Sequence, residues 1–172
     1  MKFFLSIFLI YFLFINTAKS EQTIAFIDMD RIISTSNSGS SIFKQLNNIN
    51  NKNLKFLKTE EEKFKKKEAK LISQKNIISE EDFNTKVVSL KSEIKDYNEN
   101  RKKIITSFNK LKIDSTNKLL VLTNPIIIKF SQDKKLSIIL QKKNLVIGIA
   151  ELDITDEIIK IMNDNIKDFK IK

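Results

Sequence analysis

The sequence predicts an α+β protein: a small β-containing head built from both ends of the chain, with a long antiparallel coiled-coil hairpin of α-helices inserted as an arm. Three observations predict it. Short apolar, β-branched runs occur at residues 24–27 near one end and at 136–140 and 145–150 near the other, which is the composition of buried strands. Between Gly39 and Pro125 there is neither glycine nor proline, and charged, helix-favouring side chains dominate, as in long helices. Over that stretch the apolar residues recur in steps of four and three, the period of helices packed along one seam.

The elements follow in order from the N-terminus. Met1-Lys2 precede residues 3–15, where only Ser6 and Tyr11 carry polar atoms, and a polar stretch then ends in Ala18-Lys19-Ser20. A cationic start, a short apolar run and small residues before a cut make a secretory signal peptide over residues 1–20, cleaved between Ser20 and Glu21. The apolar run is shorter than the roughly 20 residues needed to span a bilayer. Removing Lys2 and Lys19 lowers the +10 of the full chain to +8 on the mature one.

Residues 23–29 (TIAFIDM) read as a short buried strand, with Asp28 and Asp30 ending it and capping the turn that follows. The head is then expected from residues 21–38 and 124–172, and the arm from 39–123. Along the second half of the arm, Phe83, Val87, Leu90, Ile94, Tyr97, Arg101, Ile104, Phe108, Leu111, Ser115, Lys118 and Leu122 keep strict four-three steps. The first half carries a thinner stripe in which Phe43, Leu57, Phe64, Leu71 and Ile78 recur every seven residues and Asn50 occupies the missing slot. Ser79 before Glu80, Glu81 and Asp82 is a helix cap with acids in the first turn, so the reversal falls near residues 75–79. Helices of such length reach roughly 55 to 65 Å at about 1.5 Å per residue.

Pro125 after Asn124 predicts a restart or kink of the helix. The runs LSIIL and LVIGIA flank Gln141-Lys142-Lys143-Asn144 and read as a strand hairpin. Asp153 or Thr155 then caps a last helix with Ile158, Met162, Ile166 and Phe169 on one face. A head of this size is near the limit at which a single core is stable, and strands apolar on both faces need a further layer. Self-association is the expected remedy, with Ile24, Phe26, Ile139 and Val146 as interface candidates.

Composition narrows the function. The chain has no His, Cys or Trp and two glycines. Imidazole bases, thiolate zinc sites and glycine-rich phosphate loops therefore lack their residues, and no catalytic group, cofactor site or metal site is assigned. Asp28 and Asp30 alone lack the ligand count a hard cation needs. Export makes nucleic acid an unexpected partner in spite of the 31 Lys and Arg against 21 Asp and Glu.

In its order of parts the chain resembles the Skp (OmpH-like) family of periplasmic chaperones. The stretches that carry the resemblance are IAFIDMDRIISTSNSG (24–39), ISEEDF at the hairpin turn (78–83), NPIIIKFSQDKKLSIIL (124–140) and LDITDEIIKIMN (152–163). The resemblance implies a periplasmic homotrimer with a β-barrel body and helical arms enclosing a cavity. It implies an ATP-independent holdase for unfolded outer-membrane proteins. No lipopolysaccharide-binding residues of that family carry over position by position.

Lys63, Lys65, Lys66, Lys67 and Lys70 form the densest basic run, around Phe64 and beside Glu60, Glu61, Glu62 and Glu68. They are the candidates for attracting an acidic client, against the plainer reading of a solvated helix face. Phe64, Phe83, Tyr97 and Phe108 read as seam residues. The other readings that the residues leave open are a structural coiled-coil adaptor or spacer of the cell envelope, and a weak binder of anionic lipid. Export generates the first testable outcome: mass spectrometry of the extracytoplasmic protein should find Glu21 at the N-terminus, and an intact Met1 in the membrane fraction would refute the cleavage.

Overall fold

The computed structural model describes residues 23–166 and 169–171; the expected signal peptide lies outside them. The chain runs β1 (Thr23–Ile27), α1 (Met29–Thr35), α2 (Asn37–Gln74), α3 (Glu80–Asp133), β2 (Leu136–Gln141) and α4 (Thr155–Asn165). Single turns of 3-10 helix at Lys142–Asn144 and Ala150–Leu152 lie between β2 and α4.

Each boundary has a local cause. Asp28 ends β1 by accepting a hydrogen bond from the Arg31 amide at 2.9 Å, and so caps α1. Ser36 takes an extended conformation between α1 and α2, and its hydroxyl accepts from the Gly39 amide. Ser79 caps α3 by accepting from the Asp82 amide at 3.1 Å, and Glu80, Glu81 and Asp82 oppose the helix dipole. Lys135, with φ of 54°, supplies the left-handed residue that turns the chain from α3 into β2, a position usually taken by glycine.

The helix does not restart at Pro125. α3 runs through it as one 54-residue element, so no element boundary falls between residues 123 and 124. Proline removes one amide donor, and the carbonyl it leaves unbonded belongs to Val121, a residue 66% exposed. Contacts of Leu119, Thr123 and Phe130 with the head hold the helix on both sides of the proline.

β1 and β2 form a two-stranded parallel sheet in which Ile24 pairs with Ile138, Ala25 with Ile139, Phe26 with Leu140 and Ile27 with Gln141. A parallel pair needs a crossover connection, and here the crossover is the entire helical hairpin. The expected strand hairpin at 136–150 is absent: residues 145–149 are irregular, and no strand pairs with β2 on its other side among the described residues. The β-branched run has strand propensity, but a strand exists only with a backbone partner, and the described residues offer none there.

The core sits where the head meets the root of the arm. Its buried members are Ala25 and Ile27 of β1, Ile32 of α1, Ile42 and Leu46 of α2, Leu119 and Phe130 of α3, and Ile158 and Met162 of α4, with Ile154 and Phe169. The tail returns across the arm root, where the Gln45 amide donates to the Phe169 carbonyl at 2.8 Å and accepts from the Ile171 amide at 3.1 Å.

Gly39 marks the tightest approach. A Cβ there would stand 1.7 Å from the Ile33 carbonyl oxygen. Gly39→Ala should therefore force α1 from α2 and destabilise the protein by at least about 2 kcal/mol in urea unfolding. A stability equal to wild type would show that the contact is not required.

Candidate functional site

Two surfaces stand out: the flanks of the arm and one face of the head. The arm is held by a thin seam. Phe83, Val87, Leu90, Ile94, Tyr97, Ile104, Phe108 and Leu111 lie partly buried along it, and Arg101 is exposed. From Ser115 onward the buried positions are Leu119 and Thr123, not Lys118 and Leu122. The steps change because the head packs on α3 there in addition to α2: Leu119 shares a cluster with Ile42 and Leu46, and the Thr123 hydroxyl meets the Met162 sulfur at 3.5 Å. A similar offset affects α2, where Ile42 and Leu46 are buried while Phe43 is 63% exposed.

At mid-arm the Phe64 and Tyr97 rings lie 5.3 Å apart, tilted by 55°. The Tyr97 hydroxyl donates towards the Glu61 carboxylate at 3.0 Å and the Leu57 carbonyl at 3.3 Å. Burial pushes the Tyr97 hydroxyl above its ordinary value, and the Glu61 carboxylate adds in the same direction. Arg101 stands 4.0 Å from Glu61. This polar cluster joins the two helices at mid-arm, beside the buried Leu57.

The basic run divides in two. Lys63 pairs with Glu60 at 2.6 Å, and Lys67 pairs across the arm with Glu93 while lying 5.9 Å from the Phe64 ring centre. Lys65, Lys66 and Lys70 are exposed and have no ion pair among the described residues. Isolated apolar side chains, Leu54, Phe56, Ile72 and Val88, are exposed along the same arm.

Strand alternation sorts the head residues. Ala25, Ile27 and Ile139 face the core, whereas Ile24, Phe26, Ile138 and Leu140 occupy the other face. Of these, Phe26 is covered by its own chain: Gly148 lies against its ring so closely that a Cβ would be 2.8 Å from Cε1, and Lys142 Nζ is 5.7 Å from the ring centre. So the four interface candidates separate into Phe26 and Ile139, packed inside this chain, and Ile24 and Val146, which are exposed. Ile138 and Leu140, on the same sheet face as Ile24, are exposed too, as are Ile147 and Ile149 in the irregular run. The parity of LSIIL around Ile139 is the signal in the sequence that points to Ile138 and Leu140.

The profile of the outer membrane protein (OmpH-like) family matches residues 23–162. The chain belongs to the OmpH-like (Skp) family. The same fold occurs in a solved structure of a candidate outer membrane chaperone, OmpH-like, from Caulobacter crescentus. That match has a TM-score of 0.80 at 16% identity and covers 86% of this chain and 87% of the other. No curated protein matches this sequence. Among the described residues of this OmpH-like chain, no cluster of three or more acidic ligands could hold a metal ion, and no helix is long and apolar enough to cross a membrane.

The segment covering Phe26 is tied down by Asp153. Its carboxylate accepts from Lys142 Nζ at 2.8 Å and from the Thr155 amide at 3.1 Å, and also from the Thr155 hydroxyl. That hydroxyl in turn accepts from the Asp28 amide at 2.9 Å, and the Ile154 amide donates to the Phe26 carbonyl at 3.0 Å. Partial burial pushes the Asp153 carboxyl up, but the bonds from Lys142 and Thr155 together outweigh it and hold the group below its ordinary value. A depressed folded-state pKa adds stability that is present above the unfolded value, near 3.8, and lost as pH falls through the folded one. Asp153→Asn should thus cost about 1 kcal/mol at pH 7. In urea unfolding the gap to wild type should narrow as pH is lowered from about 7 to 3; a gap independent of pH would refute the role of the charge.

Proposed function

We propose that this OmpH-like protein is a periplasmic, ATP-independent holdase that assembles as a homotrimer through its heads and holds unfolded outer-membrane proteins between its arms. The observation that carries the reading is the exposed arm. Its two helices are covered by no third element among the described residues away from the root, and its flank sets the unpaired Lys65, Lys66 and Lys70 among isolated apolar side chains. Such a surface offers many weak contacts without a fixed sequence. The +8 of the mature chain adds long-range attraction for acidic polypeptides, and the same cations give weak contact with anionic lipid.

Assembly is supported by the head. Ile24, Ile138, Leu140, Val146, Ile147 and Ile149 are all at least 39% exposed, and Val146 and Ile147 are almost wholly so. Exposed apolar patches of this kind mark interaction sites. In the run 145–149 the Leu145 amide donates to the Lys142 carbonyl and the Ile149 carbonyl accepts from the Leu152 amide, which leaves the backbone of residues 146–148 to pair with a neighbouring copy. The periplasmic location rests on the expected signal peptide and on the family.

Light scattering of a denatured outer-membrane barrel tests the reading. The mature protein should suppress aggregation at stoichiometric amounts without nucleotide. Suppression should weaken as salt rises, because attraction between net charges is screened over about 8 Å at physiological ionic strength. Lys65, Lys66 and Lys70 changed to Glu together should slow capture at unchanged native mass. The double variant Val146→Asp, Ile147→Asp should lower the native mass. Failure to suppress at any ratio would assign the chain to a coiled-coil adaptor instead.

A further inference from the structure

Where α1, α2 and α3 meet at the root of the arm, the helices leave an open groove of about 380 Å³. Its floor is apolar, formed by Ile33, Ile42, Leu46, Phe108 and Leu119, with the exposed Phe43 at its edge. The groove exists because α2 carries Asn50 in the heptad slot between Phe43 and Leu57 and Asn47 one turn before it, where larger apolar side chains would fill the space. That size lies at the lower end of pockets that seat small ligands, roughly 300–1,000 Å³, and accommodates one aromatic or branched aliphatic side chain.

The rim is chemically distinct from the floor. The side-chain amides of Asn47 and Asn50 make no hydrogen bond, and Lys112 makes no ion pair, among the described residues. Thr116 is already engaged, its hydroxyl donating to the Lys112 carbonyl at 3.0 Å. An asparagine side chain offers donors and an acceptor together, which is what an unpaired peptide group requires.

We infer that this groove is a docking site for an extended, unfolded polypeptide segment. The segment seats an aromatic or branched aliphatic side chain on the floor, bonds its backbone to Asn47 and Asn50, and places an acidic side chain beside Lys112. Unpaired backbone is the property of an unfolded chain that a folded surface lacks, so the free amides favour a client over a folded partner. The unpaired ammonium and the basic mature chain favour an acidic neighbour to the anchor. The inference rests on the holdase reading and adds where a client's apolar side chains are gripped.

Fluorescence anisotropy of labelled peptides on the mature protein tests it, with a Phe-Asp repeat compared with a Phe-Lys repeat. Asn50→Trp, which fills the groove, should weaken the Phe-Asp peptide about tenfold. Lys112→Glu should weaken that peptide about fivefold and reverse the preference towards Phe-Lys. Gln132→Trp, a bulky change at an exposed site near the C-terminal end of α3, should alter neither. The charge reversal decides the question even if Asn50→Trp folds poorly, because Lys112 is exposed. Unchanged affinities without reversal overturn the groove, as does a change of native mass in Asn50→Trp, which would make a second copy the occupant. If wild type still suppresses barrel aggregation, the groove falls alone; if wild type neither binds peptide nor suppresses aggregation, both readings fall.

Discussion

The parallel pairing of β1 with β2 is the interaction on which the rest of the molecule depends. Its partners, Ile24 and Ile138 among them, stand more than a hundred residues apart. Closing a loop of that length costs entropy that grows only slowly with length, so the arm can be long without undoing the head. Five strand residues cannot offset the closure by themselves. The apolar cluster beneath them does, because Ile32, Leu119, Ile158 and Met162 are completely buried and come from three different helices.

That cluster requires helices from the arm and the head to approach closely, and small polar residues make the approach possible. Ser36, Ser38, Ser115, Thr123 and Thr155 are all buried, and no buried side-chain polar atom among the described residues lacks a partner. Thr123 bonds back to the Leu119 carbonyl at 2.8 Å, and Ser36 caps α2. Hydroxyls that satisfy themselves locally cost little to bury and leave the apolar volume to their neighbours. The arm root therefore holds the buried cluster, with one open groove beside it, whereas the outer arm is two helices with a narrow seam. Burial is concentrated where the arm is anchored, and exposed surface along the outer arm.

The sequence alone determined whatever depends on neighbours near in the chain. The reversal between α2 and α3 is written in Ser79 and the three acids after it, and the seam from Phe83 to Leu111 in a period that one helix imposes on itself. The burial of Ile158 and Met162 follows from the apolar face of α4. The missing histidines and cysteines narrow the chemistry before any fold is considered.

Tertiary structure decided what depends on partners far along the chain. Lys118 and Leu122 continue the four-three pattern, yet Leu119 and Thr123 are buried, because the head packs on α3 there in addition to α2 and a heptad carries no information about that second partner. Pro125 reads as a restart or kink of the helix, and the restart does not occur, because packing on both sides of it carries the helix through. Residues 145–149 have strand composition without a strand, since propensity belongs to side chains and pairing to a second backbone. Phe26 and Val146 are equally apolar in the sequence. Gly148 folding onto the Phe26 ring is what hides the first, while the second remains on the surface.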